Sequence, residues 1–131
     1  VVTPNGPEAQ VLTGIKVTNP EDSQAAAERI IEMGARSVVI KGGHMTGAEA
    51  IDIFYDGSTT YEFKAPRINS KNTHGTGCTF ASAITAGLAK GFRKEEAVRQ
   101  AKEYVTEAIQ ANLEIGRGHG PLNHFPRFFG T

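Results

Sequence analysis

Apolar and polar positions change their period several times along the chain, and each change marks an element. Val1-Val2-Thr3 reads as the end of a buried strand, stopped by Pro4-Asn5-Gly6-Pro7. Pro7 suits the first turn of a short helix from Glu8 to Thr13, and Gly14 ends it. Asn19 caps a second helix, with Pro20 at its first position and Asp22 in its first turn. Ala26, Ala27, Ile30, Ile31 and Met33 give that helix an apolar side, and Gly34 closes it. Ser37-Val38-Val39-Ile40 is a short unbroken apolar run, the pattern of a central parallel strand. From Ala50 to Phe63 the pattern alternates. Ile51, Ile53 and Tyr55 are interleaved with Asp52, Phe54 and Asp56, Asp56-Gly57-Ser58 makes a turn, and Thr59 to Phe63 returns as the second arm of a β-hairpin.

A helical period resumes at Phe80, with Phe80, Ala81, Ile84 and Leu88 on one face and Gly91 as the stop. The last helix runs from about Lys94 to Asn112, and its core side is Ala97, Val98, Ala101, Val105, Ala108 and Ile109. Gly116 to Pro121 is glycine-rich and irregular. There is no repeat, low-complexity tract or linker, so residues 1–131 are read as one unit. Strands alternating with helices predict an α/β fold with a mostly parallel sheet plus the β-hairpin.

Composition narrows the function classes. The 131 residues are 39% hydrophobic, enough for a modest core. No segment approaches the ~20 apolar residues of a membrane span. No basic stretch leads into a long apolar run at the start, so no secretory signal is expected. The chain opens on Val1 rather than methionine and reads as a piece of a longer one. Fourteen Lys and Arg balance fourteen Asp and Glu, which argues against a nucleic-acid binder acting through bulk charge. The single cysteine cannot form an internal disulfide, which suits a reducing compartment. His44, His74, His119 and His124 show no metal-ligand spacing with a second cysteine, so structural zinc is not expected.

The candidate chemistry lies at Asn72-Thr73-His74-Gly75-Thr76-Gly77-Cys78-Thr79-Phe80. Glycines without a Cβ let backbone N–H groups approach a ligand closely. A helix start leaves about four N–H groups unpaired, with a partial positive charge behind them. Together they form an anion site, and phosphate is the usual anion. The string fits neither GxxxxGK[ST] nor GxGxxG, so the common nucleotide fingerprints are absent. Read locally, a glycine turn before a helix with a buried cysteine accounts for it equally well.

TPNGPEAQVLTG at 3–14, VVIKGGH at 38–44, NTHGTGCTFASAITAGLAKG at 72–91 and GRGHGPLNHF at 116–125 closely resemble hydroxymethylpyrimidine and phosphomethylpyrimidine kinases of thiamine biosynthesis. Those kinases belong to the ribokinase-like superfamily, with the pyridoxal kinases as near relatives. Order and spacing agree across essentially the whole chain, but only with the C-terminal half of such a kinase. The resemblance implies a three-layer α/β/α sandwich whose sheet, in half a domain, keeps an uncovered edge. It implies a small-molecule substrate, hydroxymethylpyrimidine or its phosphate, with ATP and Mg2+ as cofactors. It implies no nucleic acid and no membrane partner, a cytoplasmic location, and either a homo-oligomer or pairing with the missing N-terminal half. Pyridoxal or pyridoxine phosphorylation, or a non-catalytic nucleotide-binding half-domain, are the alternatives.

The resemblance also implies site roles. Asn5 and Glu8 match an Asn-x-x-Glu motif that organises magnesium, through water, and the nucleotide phosphates. Gly75, Thr76, Gly77 and Cys78 match the anion hole that faces the moving phosphoryl group. Cys78 stands where many sugar kinases of the superfamily carry an aspartate base. Lys41 ends the VVIK strand, where ligands of open α/β sheets gather, and is expected to touch nucleotide phosphates. Thr79 either caps the helix or faces phosphate. Gly75 and Gly77 are both expected to be required if the loop needs positive φ. Phe80 and Ile84 are expected in the core.

Overall fold

The computed structural model describes residues 1–43, 47, 49–67, 75–111 and 120–126, and these divide into two compact units, residues 1–67 and 68–131. His44, His74 and His119, with Asn72, Thr73 and Gly116 to Gly118, lie outside the described residues.

In the first unit, α1 spans Gly6–Thr13, starting two residues earlier than the sequence predicts, because Asn5 caps it ahead of Pro7. Gly14 ends it in the left-handed region at φ 77°, where glycine carries no Cβ penalty. The second helix, α2, spans Pro20–Glu32 with Asn19 as its cap, as predicted. The Thr18 hydroxyl and amide both donate to Asp22 (2.7 and 3.0 Å), and these bonds hold its carboxyl below the usual carboxylate range. Gly34 donates to the Ile31 carbonyl and Ala35 to the Ile30 carbonyl, so a Schellman motif turns the chain into the next strand.

Strand β1 is Val38–Ile40, β2 is Glu49–Tyr55 and β3 is Thr60–Pro66. They form a sheet in the order β1-β2-β3, with both pairings antiparallel. Asp56 closes the hairpin by accepting from the Ser58 and Thr59 amides at 2.8 and 2.7 Å. Parallel pairing lies on the other side of β1, where Val2 bridges Val38 and Asn5 bridges Lys41. The expected mostly parallel sheet is therefore, among the described residues, a mixed one. The segment Val1–Asn5 runs parallel to β1, and the hairpin adds two antiparallel strands on the opposite side.

The centre of β2 is buried on both faces. Asp52, Ile53 and Phe54 are all buried, although strict alternation predicts that only Ile51, Ile53 and Tyr55 point inward. Val38 and Ile40 join Ala9, Ala26, Ala27 and Ile30 in one core cluster, which seats α1 and α2 on the sheet. Burying each Val or Ile there contributes about 1.5–3 kcal/mol.

In the second unit, α3 spans Thr76–Ala89 and α4 spans Lys94–Gln110. The two helices pack together through Phe80, Ile84 and Gly87 of α3 and Ala97, Val98, Ala101, Val105 and Ala108 of α4, in good agreement with the predicted faces. A methyl group on Gly87 would sit 3.0 Å from the Ala97 Cβ, so that glycine sets how closely the helices approach. Gly91 donates to Leu88 and Phe92 to Gly87, a second Schellman motif closing α3. Downstream, the Asn123 amide donates to the Ala108 carbonyl and the Tyr104 hydroxyl to the His124 carbonyl, pinning residues 120–126 against α4.

Candidate phosphate site

Three of the predicted residues come together in the first unit. The Asn5–Lys41 bridge sets these two side by side at the C-terminal ends of adjacent parallel segments, and α1 starts there. The Asn5 side chain accepts from the Glu8 amide at 2.8 Å, and Glu8 Oε2 accepts from the Asn5 amide at 2.8 Å. This reciprocal capping box satisfies two N–H groups at the helix start. Glu8 keeps its second carboxylate oxygen outside the cap. The Lys41 amide is held by the Pro4 carbonyl at 2.9 Å; the residue is half-buried, and its ammonium makes no ion pair or hydrogen bond among the described residues.

Sequence reasoning missed Asp52. It is 5% exposed, and its carboxylate accepts from the Gly42 amide at 2.8 Å, fixing the backbone just after Lys41. Arg67 holds the same loop further on, donating to the carbonyls of Gly43 and Gly47 at 2.8 and 2.9 Å. The signal was present in Asp52, an acid in the middle of an apolar run whose strand turned out to be central.

In the second unit the helix begins earlier than the apolar pattern suggests. Thr76, Gly77, Cys78 and Thr79 form its first turn rather than a loop ahead of Phe80. Gly75 is the cap residue at φ 82°, and only this one of the two glycines needs the left-handed region; Gly77 is helical. The Thr79 amide already donates to the Gly75 carbonyl at 2.9 Å, so Thr79 neither caps the helix nor offers its N–H. The Gly77 and Cys78 amides lie in the first turn, where no helical carbonyl can reach them. Cys78 is exposed, which removes the alternative of a buried structural cysteine.

The electrostatics of this helix start differ from those of the others. α1 carries Glu8 in its first turn, α2 carries Glu21 and Asp22, and α4 carries Glu95 and Glu96. α3 carries no acid there and no side-chain cap. Among the described residues, no acid in that turn offsets its partial positive charge, a setting that favours anions. Elsewhere in the unit a groove of about 540 Å³, lined by Lys90, Phe92, Arg99, Tyr104 and Phe125 among others, contains none of the predicted site residues. Among the described residues there is no group of three or more His, Cys, Asp or Glu placed to hold a metal ion directly, and no helix long and apolar enough to cross a membrane.

A family model described as phosphomethylpyrimidine kinase matches residues 1–123. The chain belongs to this family. A thiamine biosynthesis bifunctional protein from Geobacter sulfurreducens is 52% identical over 95% of the chain, which covers 25% of that relative. A hydroxymethylpyrimidine/phosphomethylpyrimidine kinase from Bacillus subtilis is 49% identical over 95% of the chain and 46% of the relative. The chain thus spans half or less of the length of these phosphomethylpyrimidine kinase relatives. Among solved structures, the pyridoxal kinase from Staphylococcus aureus in complex with AMP-PCP is 39% identical with a TM-score of 0.92, over 97% of this chain and 47% of that one. A phosphomethylpyrimidine kinase from Clostridium difficile is 42% identical with a TM-score of 0.68, over 82% of this chain and 42% of that one. These neighbours make the fold the expected ribokinase-like α/β class.

Proposed function

We propose that this chain is the phosphate-handling portion of a kinase that uses ATP to phosphorylate 4-amino-5-hydroxymethyl-2-methylpyrimidine and its monophosphate in thiamine biosynthesis. The observation that carries this reading is the unacidified, glycine-capped start of α3 with an exposed thiol in its first turn. The N-terminal half of the kinase, on this reading, supplies the pyrimidine pocket and completes the domain. A reducing cytoplasm suits a working thiol at Cys78.

The roles follow from charge. Phosphoryl transfer spreads negative charge over the equatorial oxygens of the moving group, and fixed N–H donors lower that barrier without reorganising. Gly75 bends the chain so that the Gly77 and Cys78 amides face the anion, with Thr76 beside them. Thr79 fixes the turn through its bond to Gly75. The Lys41 ammonium takes the nucleotide phosphates. The second oxygen of Glu8 and the Asn5 amide fit a magnesium ion held through water, since magnesium keeps several waters and needs few protein oxygens. When bound, that ion neutralises charge between the phosphates.

Cys78 acts as the base. A phosphomonoester acceptor is already ionised at neutral pH because its second pKa is about 6. A carboxylate at this position would repel such an acceptor, which needs no base; for an alcohol acceptor the Cys78 sulfur, as thiolate, takes the hydroxyl proton. An alcohol acceptor needs the base more. In the completed protein, Cys78→Ala is therefore expected to cut hydroxymethylpyrimidine phosphorylation by about 100-fold and that of the monophosphate by less than about tenfold. Equal losses on the two acceptors in a steady-state assay would refute the role.

A second reading has its own support. Solved pyridoxal kinases from Bacillus subtilis and Staphylococcus aureus are 39–40% identical to this chain with TM-scores of 0.90 to 0.92. Pyridoxal belongs in the same acceptor panel.

A further inference from the structure

The ladder between β1 and β2 ends at a defined point. Val38, Val39 and Ile40 face Tyr55, Phe54 and Ile53, and there the pairing stops. One step further, Lys41 would face Asp52, and Gly42 would face Ile51. On its other side the chain stays paired, since Lys41 bridges Asn5 and its amide donates to the Pro4 carbonyl at 2.9 Å. The Val39 amide faces the same way, donating to the Val2 carbonyl at 2.8 Å. Backbone groups of an extended strand alternate between its two edges. The Gly42 amide therefore faces β2, where a continued ladder would offer it the Ile51 carbonyl. It donates instead to the Asp52 carboxylate at 2.8 Å. A side chain stands where a backbone bond would be, and the end of β1 leaves β2 while keeping its place beside Asn5 and the start of α1.

This arrangement is costly. Asp52 is buried in β2 between Ile51 and Ile53, where an apolar residue would avoid the desolvation of a carboxylate. Past Gly42 the connection is held again, by Arg67 at the Gly43 and Gly47 carbonyls. The two grips differ in setting. Arg67 is exposed, so water competes for its bonds, whereas the Asp52 bond is buried and stronger for it. Fixing Gly42 fixes the peptide that follows Lys41, and with it the direction in which the Lys41 side chain leaves β1. The Asp52 carboxylate would itself repel a phosphate, so it acts at one remove. We infer that Asp52 is a positioning residue, which works through the Gly42 amide to hold Lys41 where it meets the nucleotide phosphates. The inference deepens the proposed function and rests on its assignment of Lys41 to those phosphates.

The test measures Mg-ATP binding to the completed protein by calorimetry. Asp52→Leu removes the acceptor and is expected to weaken binding at least about tenfold, since it frees the peptide next to Lys41. Asp52→Asn keeps an oxygen for the Gly42 amide and is expected to stay within about threefold of the parent. Lys41→Ala is expected to weaken binding at least about tenfold, and adding Asp52→Leu to it to cost less than about threefold more, because the two residues act as one unit. A purely structural Asp52 would lower the unfolding midpoint in both backgrounds without that coupling. Where Asp52→Leu does not fold, Asp52→Glu replaces it with the same expectation, since it keeps the charge but pushes Gly42 away by one methylene. Affinity indifferent to Asp52, an Asn variant as weak as the Leu variant, or full additivity with Lys41→Ala would each overturn the inference. Phosphorylated pyrimidine from a protein whose Mg-ATP affinity ignores Asp52 would sink the inference alone. Coupling of Asp52 to Lys41 with no phosphate transferred to either pyrimidine would sink the proposed function alone, and a parent that binds no Mg-ATP would sink both.

Discussion

Two helix starts in this molecule meet the same physical problem differently. Both α1 and α3 begin with N–H groups that have no helical acceptor. α1 answers with its own side chains, as Asn5 and Glu8 close a reciprocal box and place a carboxylate at the positive end of the helix. α3 has Gly75, which has no side chain, and no acid in its first turn. The first arrangement stabilises the fold and leaves one oxygen and one ammonium, on Glu8 and Lys41, for a partner. The second lacks that stabilisation among the described residues, and it sets an exposed thiol in the first turn. A helix start with no acid in its first turn and no side-chain cap among the described residues is a better candidate for binding an anion than one closed by a capping box.

Substitutions can break this contrast. The largest expected effect comes from Gly75→Val. A β-branched residue at φ 82° is strained even though nothing lies within 4 Å of the site. The variant is expected to lose about 2 kcal/mol in denaturant unfolding and to bind tripolyphosphate more weakly; unchanged stability would mean the turn does not depend on glycine. Next is Asn5→Ala, which opens the box at α1. It is expected to cost about 1 kcal/mol by the same measurement, with tripolyphosphate affinity at α3 unaltered. A variant as stable as the parent would show that the capping box contributes nothing.

Much of this was legible in the sequence because the signals were local. Asn5, Asn19, Gly34 and Gly91 announce helix ends, and the turn at Asp56-Gly57 announces the hairpin. What could not be read depended on neighbours distant in sequence. Alternation along β2 does not show that its Asp52 and Phe54 side is buried as well as its Ile53 side. The mixed sheet was hidden for the same reason, since nothing in Val38–Ile40 says which strand lies on which side. At the site, the types and spacing of Asn5, Glu8, Lys41 and Cys78 were visible, but the start of α3 was not. Thr76 to Thr79 have no apolar period, so only the backbone reveals that Gly75 bends and Gly77 does not.

The most direct test of the account is an amide-resolved NMR titration of this chain with metal-free tripolyphosphate. The Gly77 and Cys78 amides are expected to shift saturably, while the Asn5 and Glu8 amides, each already bonded to a side chain, hold their positions. Gly77 and Cys78 amides that stay in place at saturating anion, or Asn5 and Glu8 amides that move as far as they do, would contradict it.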